Sequence, residues 1–285
     1  MAAGSVGLVP RSSVVLTTYN QPRLLDLVLR GYARQTSLDF ELVIADDGSG
    51  PETRYVIERH ARDAPFRIGH VWQPDKGFRK SEAVNRAVLQ TRAATLILSD
   101  GDCIPVRSFV EEHVAMARPR TYVVGGHIRL TQDYTASLTA DDVRSGRFER
   151  QGRLSERLKL WTTHGKSLVY IATGKRRKPK FYGLNFSVDR ESFYRVNGFD
   201  HTYHNSGRED SDLRNRLQLA GVHARSIWHR ARVFHLHHPG HTTRLVWQGV
   251  AEYYNRPDLA PEAPVGLREL ASQDAAARSS AGDPG

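Results

Sequence analysis

The sequence has little cysteine and no long hydrophobic segment. Its one cysteine, Cys103, excludes an internal disulfide framework and suits a reducing compartment. No apolar run approaches the roughly 20 residues that a membrane-spanning helix requires. The N-terminus also lacks a positively charged segment followed by a long apolar stretch, so we expect no signal peptide. Together these absences predict a cytoplasmic protein.

Positive charge, by contrast, is abundant. The 285 residues carry a formal net charge of +10, while the hydrophobic fraction of 39% and the charged fraction of 25% are ordinary for a globular protein. The length suits one large α/β domain or two small ones. The charge indicates an anionic partner such as nucleic acid, acidic lipid or nucleotide phosphates. The densest basic run, residues 175–180, is equally typical of a solvated loop and of a binding patch.

Strand-like and helix-like segments alternate along the first hundred residues. Apolar, β-branched runs predict strands at 13–18, 40–45, 69–72 and 94–99, and helical spacing predicts helices between them. This alternation indicates parallel βαβ units and a doubly wound α/β sheet, in which ligands bind at the carboxyl ends of the strands. Three polar motifs fall at such ends: Thr17-Thr18-Tyr19-Asn20, Asp46-Asp47 and Asp100-Gly101-Asp102.

The last of these motifs favours a divalent-metal site. A chain leaving a buried strand can present both carboxylates to one cation, and hard oxygen ligands suit Mg²⁺ or Mn²⁺. A turn in which Asp100 and Asp102 cap backbone amides is the alternative. Farther along, His235 and His237 are two residues apart on a predicted strand, so they share a face and either could supply a third ligand. A mixed oxygen and imidazole shell suits Mn²⁺.

Glu209 and Asp210 are candidates for the catalytic pair. A sugar hydroxyl is a poor nucleophile until a carboxylate takes its proton. The alternative is that the two acids only complement the dipole of a helix that starts there. Asp46 could accept a hydrogen bond from a base or ribose, or simply form a turn. The basic stretch 76–80 precedes a helix N-terminus, which suits phosphate but also a solvated helix start.

The ordered set of motifs over residues 12–240 resembles a family 2 glycosyltransferase of the GT-A fold. Besides the three strand-end motifs, it contains Gly207-Arg208-Glu209-Asp210-Ser211-Asp212-Leu213. The stretch from Asn185-Phe186-Ser187-Val188 to Asn197-Gly198-Phe199-Asp200 is similar to the carboxyl-terminal part of galactosyltransferases. The resemblance implies one compact domain with a Rossmann-like, mostly parallel central sheet flanked by helices.

The resemblance also implies a role for each candidate residue. Nucleotide and donor contacts would come from Thr17, Tyr19, Asp46, Gly77, Lys80 and Asp100. Metal ligands would come from Asp102 and His235, with His237 as the second imidazole candidate. Asp210 would be the base, and Glu209 would contact the acceptor or the donor sugar. The implied chemistry is metal-assisted single displacement with inversion, in which the metal and basic groups stabilise the departing diphosphate.

The implied substrates are a UDP-sugar, which donates a hexose or N-acetylhexosamine, and a glycan or lipid-linked glycan acceptor. We expect Mn²⁺ or Mg²⁺ as cofactor and peripheral contact with an anionic membrane at its inner face. Two other functions fit parts of the sequence. A basic nucleic-acid-binding protein would need a recognition helix or an aromatic, basic sheet face, and neither is evident, so no nucleic acid is expected. A metal-dependent nucleotide-sugar phosphohydrolase would share the carboxylates.

These expectations divide the chain into segments. Residues 1–11 would form a flexible N-terminus and residues 12–125 the nucleotide-binding half. Residues 126–256 would form the acceptor-binding half, with a polar insertion at 136–180. The tail at 257–285 is rich in Ala, Pro, Ser and Asp, a composition that predicts disorder. Further strands are predicted at 122–128, 183–188 and 227–235, and helices at 190–196 and 210–219.

Overall fold

The computed structural model describes residues 9–203, 208–239, 253 and 255–281. Within these residues the strands are β1 (Ser12–Thr18), β2 (Phe40–Asp46), β3 (Ile68–Trp72), β4 (Thr95–Asp100), β5 (Cys103–Pro105), β6 (Thr121–Val124), β7 (Gly126–Arg129), β8 (Asn185–Asp189), β9 (His223–Ser226) and β10 (Arg232–His235).

The helices within the same residues are α1 (Pro22–Ala33), α2 (Pro51–Asp63), α3 (Lys80–Leu89), α4 (Phe109–Met116), α5 (Gln132–Ser137), α6 (Ala140–Ser145), α7 (Leu154–Ala172), α8 (Arg190–Arg195), α9 (Glu209–Leu219) and α10 (Leu267–Ala281). A short 3-10 helix covers Arg147–Arg150.

The larger sheet has the order β3-β2-β1-β4-β8-β6-β9. Strands β3, β2, β1 and β4 are parallel, β8 is antiparallel to both β4 and β6, and β9 is parallel to β6. Residues Val14, Val15 and Leu16 of β1 are fully buried, as expected for a central strand covered on both faces. The prediction of an α/β fold with a mostly parallel sheet flanked by helices is confirmed.

The smaller sheet has the order β5-β10-β7 and was not predicted. The sequence predicted one strand over 122–128, but the chain passes from β6 in the larger sheet to β7 in the smaller sheet at Gly125. A Cβ at this glycine would lie 2.2 Å from Oδ1 of Asn185, so the side-chain amide occupies that space. The Asn185 amide donates to the carbonyls of Gly126 and Ala231, at 2.7 and 2.9 Å, and thereby joins the two sheets.

The carboxyl-terminal half is more regular than its composition suggested. The predicted polar insertion contains α6, the 3-10 helix and the whole of α7. The described part of the tail predicted to be disordered contains α10, and Leu267 and Leu270 of that helix are buried. The amides of Ala263 and Leu267 donate to the carbonyls of Val196 and Asn197, at 3.0 and 3.1 Å. A few well-placed apolar residues therefore order a segment whose overall composition is polar.

Two further points concern the ends of the chain and the membrane. Residues 1–8 of the predicted flexible N-terminus lie outside the described residues. Among the residues that the structure describes, no helix combines the length and the apolar character needed to cross a bilayer.

Candidate active site

The carboxyl ends of β1, β2 and β4 open onto one cleft of about 570 Å³, which we call the donor cleft. Its lining includes six of the predicted site residues at the strand ends and around the start of α3, namely Thr17, Tyr19, Gly77, Lys80, Asp100 and Asp102, together with His235. Parallel strands place their carboxyl ends at one edge of the sheet, which is why motifs distant in sequence meet there.

Asp100 is held by two neighbours. Its Oδ1 accepts a hydrogen bond from Oγ1 of Thr17 at 2.6 Å and is 2.8 Å from Nζ of Lys80. Burial alone would lower the pKa of Lys80, yet that pKa is raised because three carboxylates surround the ammonium, those of Asp100, Asp210 and Glu209. The Lys80 ammonium is therefore charged and links the donor cleft to the start of α9.

Asp102 lies in a group that fits a divalent cation. Its Oδ2 is 3.0 Å from Nε2 of His238 and 3.7 Å from Nε2 of His235, and one ligand atom from each of the three residues lies within 4.8 Å of the others. Burial raises the pKa of Asp102, but the hydrogen bond from His238 and the nearby His235 outweigh burial and lower it. One carboxylate and two imidazoles are a donor set that suits Mn²⁺.

The structure does not bring the side chain of His237 into this group, so the second imidazole belongs to His238 instead. Strand β10 ends at His235, and the two-residue alternation assumed in the prediction ends with it. The next residue, Leu236, is buried and donates its amide to the carbonyl of Asp102 at 2.8 Å. His237 is exposed, and its amide donates to Oγ1 of Thr135 at 3.0 Å.

Asp46 does not line the donor cleft, whereas Asp47 does. Oδ1 of Asp46 accepts from the amide of Ser49 at 2.8 Å, and its Oδ2 is 2.9 Å from Nε2 of His70. Both oxygens therefore have partners within the protein, and the side chain is only 1% exposed. This geometry replaces Asp46 by Asp47 as the cleft-side acid of the motif. Burial raises the pKa of Asp47, which also accepts the amide of Arg79 at 2.7 Å.

Tyr19 and Gly77 meet at an acid that sequence reasoning missed. Oδ2 of Asp75 accepts the hydroxyl of Tyr19 at 2.8 Å, and its Oδ1 accepts the amide of Gly77 at 3.0 Å. Gly77 has a φ of +82°, a left-handed conformation that favours glycine. Asp75 therefore fixes the loop before α3 against the end of β1. The only sequence signal for this role is the Asp-Lys-Gly turn composition.

The first turn of α9 carries Glu209 and Asp210. The amide of Gly183 donates to Oδ2 of Asp210 at 2.8 Å, whereas its Oδ1 is buried and has no hydrogen-bond partner among the described residues. Burial and then the charge of Glu209 raise the pKa of Asp210 to about 7, although Lys80 opposes this shift. A carboxyl that titrates near neutrality can accept a proton under physiological conditions.

A second acid on α9 has a structural role. Asp212 and Arg216 are both 1% exposed, and Oδ2 of Asp212 is 2.6 Å from Nε of Arg216. Nη1 of Arg216 also donates to the carbonyls of Val196 and Gly198, at 2.7 and 2.8 Å. This buried pair fixes α9 against the turn after α8, and thereby fixes the position of Asp210.

The sheet order and the strand-end cleft define a GT-A fold, the architecture of one class of glycosyltransferases. The glycosyl transferase family 2 model matches residues 13–175, and the chain belongs to that family. A second model, described as the N-terminal domain of galactosyltransferase, matches residues 166–239.

Curated relatives have the same character. The chain is 30% identical over 239 residues to validoxylamine A glucosyltransferase from Streptomyces hygroscopicus subsp. jinggangensis, covering 77% of this chain and 54% of the relative. It is 23% identical over 275 residues to chondroitin synthase from Escherichia coli, covering 86% of this chain and 39% of the relative. The chain thus spans about half, or less, of the length of these relatives.

Solved structures share the fold. A mannosyltransferase from Pyrobaculum calidifontis, in complex with GDP-Man and Mn²⁺, aligns with a TM-score of 0.57 at 19% identity, over 82% of this chain and 59% of that one. Residues 1–349 of S. aureus TarS, in complex with UDP-GlcNAc, align with a TM-score of 0.52 at 13% identity, over 81% and 59% of the two chains.

Proposed function

We propose that the protein is an inverting glycosyltransferase that moves a hexose or N-acetylhexosamine from a UDP-sugar to a hydroxyl of a glycan or glycolipid. One observation carries this proposal. The ammonium of Lys80 is hydrogen-bonded to Oδ1 of Asp100 in the donor cleft. It also interacts electrostatically with Asp210, whose pKa is raised to about 7. A candidate base and a candidate nucleotide site therefore lie close to one shared cation.

The proposed donor site uses the residues that line the cleft. Thr17, Tyr19 and Asp47 lie on the side of β1 and β2, where the nucleoside would bind, and Lys80 lies near the proposed phosphates. The nucleotide sugars bound to the mannosyltransferase and to TarS support a donor of this class. We favour uridine because the motif set resembles UDP-sugar enzymes.

Mn²⁺ or Mg²⁺ is the proposed cofactor. Asp102, His235 and His238 would hold it, because their donor atoms are close together and their chemistry fits Mn²⁺. When bound, the ion would act as a Lewis acid toward the diphosphate leaving group. The mannosyltransferase complex with Mn²⁺ supports this cofactor.

The chain's own residues would then perform the transfer. Asp210 accepts the proton of the acceptor hydroxyl while the hydroxyl oxygen attacks the anomeric carbon of the donor sugar. The bond from that carbon to the phosphate oxygen breaks, UDP leaves, and the configuration inverts. Glu209, next to the base, would contact the acceptor or the donor sugar. The fixed ammonium of Lys80 would help to neutralise charge that develops on the departing diphosphate.

Calorimetric titration of UDP, with and without Mn²⁺, tests the donor site. We expect Mn²⁺ to increase the affinity of the unmodified protein and to have no such effect on Asp102→Ala. The matched control is Asp133→Ala, which removes an exposed carboxylate outside the cleft and should behave like the unmodified protein. UDP affinity that is independent of Mn²⁺, or that survives unchanged in Asp102→Ala, would contradict the proposed cofactor site.

The acceptor and the cellular location also stay predictions. The polysaccharide synthase among the relatives supports a glycan acceptor. Exposed cations at Lys175, Arg176 and Arg177 support contact with an anionic membrane, and we propose that this contact is made from the cytoplasm at the inner face.

A further inference from the structure

A second concave region, which we call the basic groove, lies outside the donor cleft. It has a volume of about 440 Å³ and is formed by α7, β7, the segment 178–182 and Trp228. Its lining side chains include five cations, those of Arg129, Lys159, Lys166, Lys178 and Lys180. Glu156 is the one carboxylate among the lining residues, and it accepts the amide of Arg153 at 3.0 Å at the start of α7.

The positive charge of the basic groove is not neutralised within the described residues. Arg129, Lys159, Lys166 and Lys180 form no ion pair there. Burial and then the neighbouring cations, Lys180 first, lower the pKa of Lys178, as crowding of like charges requires. An anion bound among these side chains would remove that repulsion.

Aromatic rings form one wall of the basic groove. The rings of His127 and Tyr182 meet edge to face at 5.3 Å between centroids, and each lies 6.2 Å from Trp228. Burial and then the charge of Arg129 lower the pKa of His127 to about 4, so this ring is neutral at pH 7. Nδ1 of His127 and Nε1 of Trp228 are buried and have no hydrogen-bond partner among the described residues, so the wall presents its rings, and not these two nitrogen atoms, to the groove.

The basic groove adjoins both halves of the proposed active site. Tyr182, on its wall, directly precedes Gly183, whose amide donates to Asp210. Strand β7, which supplies His127 and Arg129, pairs with β10, and Arg129 lies opposite His235 in that register. One end of a molecule bound in the groove would therefore lie toward the candidate base and the candidate metal ligands.

Resting on the transferase activity proposed above, we propose that the basic groove binds the acceptor and that this acceptor is an anionic glycan, bearing carboxylate or phosphate groups. Its charged groups pair with Lys159, Lys166 and their neighbours, while aromatic rings pack against the apolar faces of the sugars. A concave site with a few convergent polar groups is typical of a small-molecule or oligosaccharide ligand, whereas a bilayer presents a flat surface.

Titration of oligosaccharides into the full chain, in EDTA and without nucleotide, tests the basic groove alone. The probes are tetragalacturonate, its carboxyl-reduced neutral counterpart and a phosphorylated maltotetraose. We expect either anionic probe to bind at least about tenfold more tightly than the neutral one, and the paired variant Lys159→Gln with Lys166→Gln to weaken that binding roughly tenfold. The paired control, Arg62→Gln with Arg195→Gln, removes two exposed charges elsewhere and should stay within about twofold.

Equal affinity for the neutral and both anionic probes would overturn the proposal, as would unchanged binding in the Lys159 and Lys166 variant. The proposal is also wrong if the Lys159 and Lys166 variant keeps oligosaccharide binding and loses only its co-sedimentation with phosphatidylglycerol vesicles. The groove would then be a membrane contact. A failure of the proposed transferase activity would give a different result. UDP binding would be absent, whereas the unmodified protein would still bind the anionic oligosaccharides and the Lys159 and Lys166 variant would still bind them more weakly.

Discussion

The donor cleft and the basic groove handle charge in opposite ways. In the donor cleft the acids have partners: Asp100 is bonded to Lys80, Asp102 to His238, and Asp47 to a backbone amide. In the basic groove the five lining cations form no ion pair within the described residues, and Glu156 is the one carboxylate among the lining side chains. Partnered groups are preorganised for one ligand geometry, whereas unpartnered cations attract anions of many shapes. The donor site should accordingly be the more selective of the two.

The largest effect is expected from the proposed base, Asp210, which interacts with Lys80 of the donor cleft and with Gly183, the residue after Tyr182 of the basic groove. Asp210→Asn should lower the transfer rate by about 10²- to 10⁴-fold, because the variant cannot accept a proton. UDP affinity should be unchanged, and the melting temperature should not fall, since a buried carboxyl with a raised pKa is removed. Transfer at the normal rate would show that Asp210 is not the base.

Asp212, two residues along the same helix, should give the opposite result. Asp212→Ala leaves Arg216 buried without its carboxylate, which typically costs about 3–5 kcal/mol of unfolding free energy. Urea denaturation of this variant, with Asp210→Asn as the matched control from the same helix, measures the difference. A loss below about 1 kcal/mol would mean that backbone carbonyls suffice for Arg216.

A smaller effect should separate the neighbouring histidines. His238→Ala should reduce the Mn²⁺-dependent part of UDP affinity by roughly tenfold or more, since a proposed ligand is lost. His237→Ala should leave that affinity unchanged, because His237 is exposed and outside the group. Calorimetry under matched salt conditions compares the two. The reverse result would restore His237 as the ligand.

The smallest effect is expected from lowering the pH by a single unit. Transfer should fall about tenfold for each pH unit below about 7, where Asp210 becomes protonated. Between pH 3.8 and about 7 the native carboxyl holds a proton that the unfolded chain has lost, so its contribution to stability declines as pH rises through this range. The Asp210→Asn variant should lack this decline. Transfer rates and urea midpoints measured from pH 5 to pH 8 report both effects. A fall in rate whose midpoint lies far from pH 7 would contradict the proposal that Asp210 is the base.

The sequence predicted the sheet better than it predicted the side chains around it. Apolar runs identified β1 to β4 to within one residue, and strand direction then brought the motifs at Thr17, Asp47 and Asp100 to one cleft. The choice between Asp46 and Asp47 depended on which face of β2 meets the cleft. Residues two apart on a strand share a face, and Ala45 and Asp47 both line the donor cleft. The alternation of side chains along β2 was therefore the sequence signal that favoured Asp47 over Asp46.

Other features depend on contacts that no local pattern carries. The prediction for His237 extended a two-residue alternation past the end of β10, where a tertiary contact of Leu236 with Asp102 sets the path. The small sheet depends on Asn185, which is distant in sequence from the strands that it joins. The order of the tail depends on Leu267 and Leu270, spaced three apart on α10, within a composition that otherwise predicts disorder.

The left-handed turn at Asn197 connects helix α9 with the carboxyl-terminal segment that contains α10, although the two are distant in sequence. Its side-chain amide donates to the carbonyl of Ala263 at 3.0 Å and its Oδ1 accepts the amide of Arg268 at 2.9 Å. The flanking carbonyls of Val196 and Gly198 receive Arg216 from α9. A shortened protein that stops before residue 257 would therefore lose contacts that hold the turn supporting the helix with Asp210. Low turnover by such a fragment would not be evidence against the proposed reaction of the full chain.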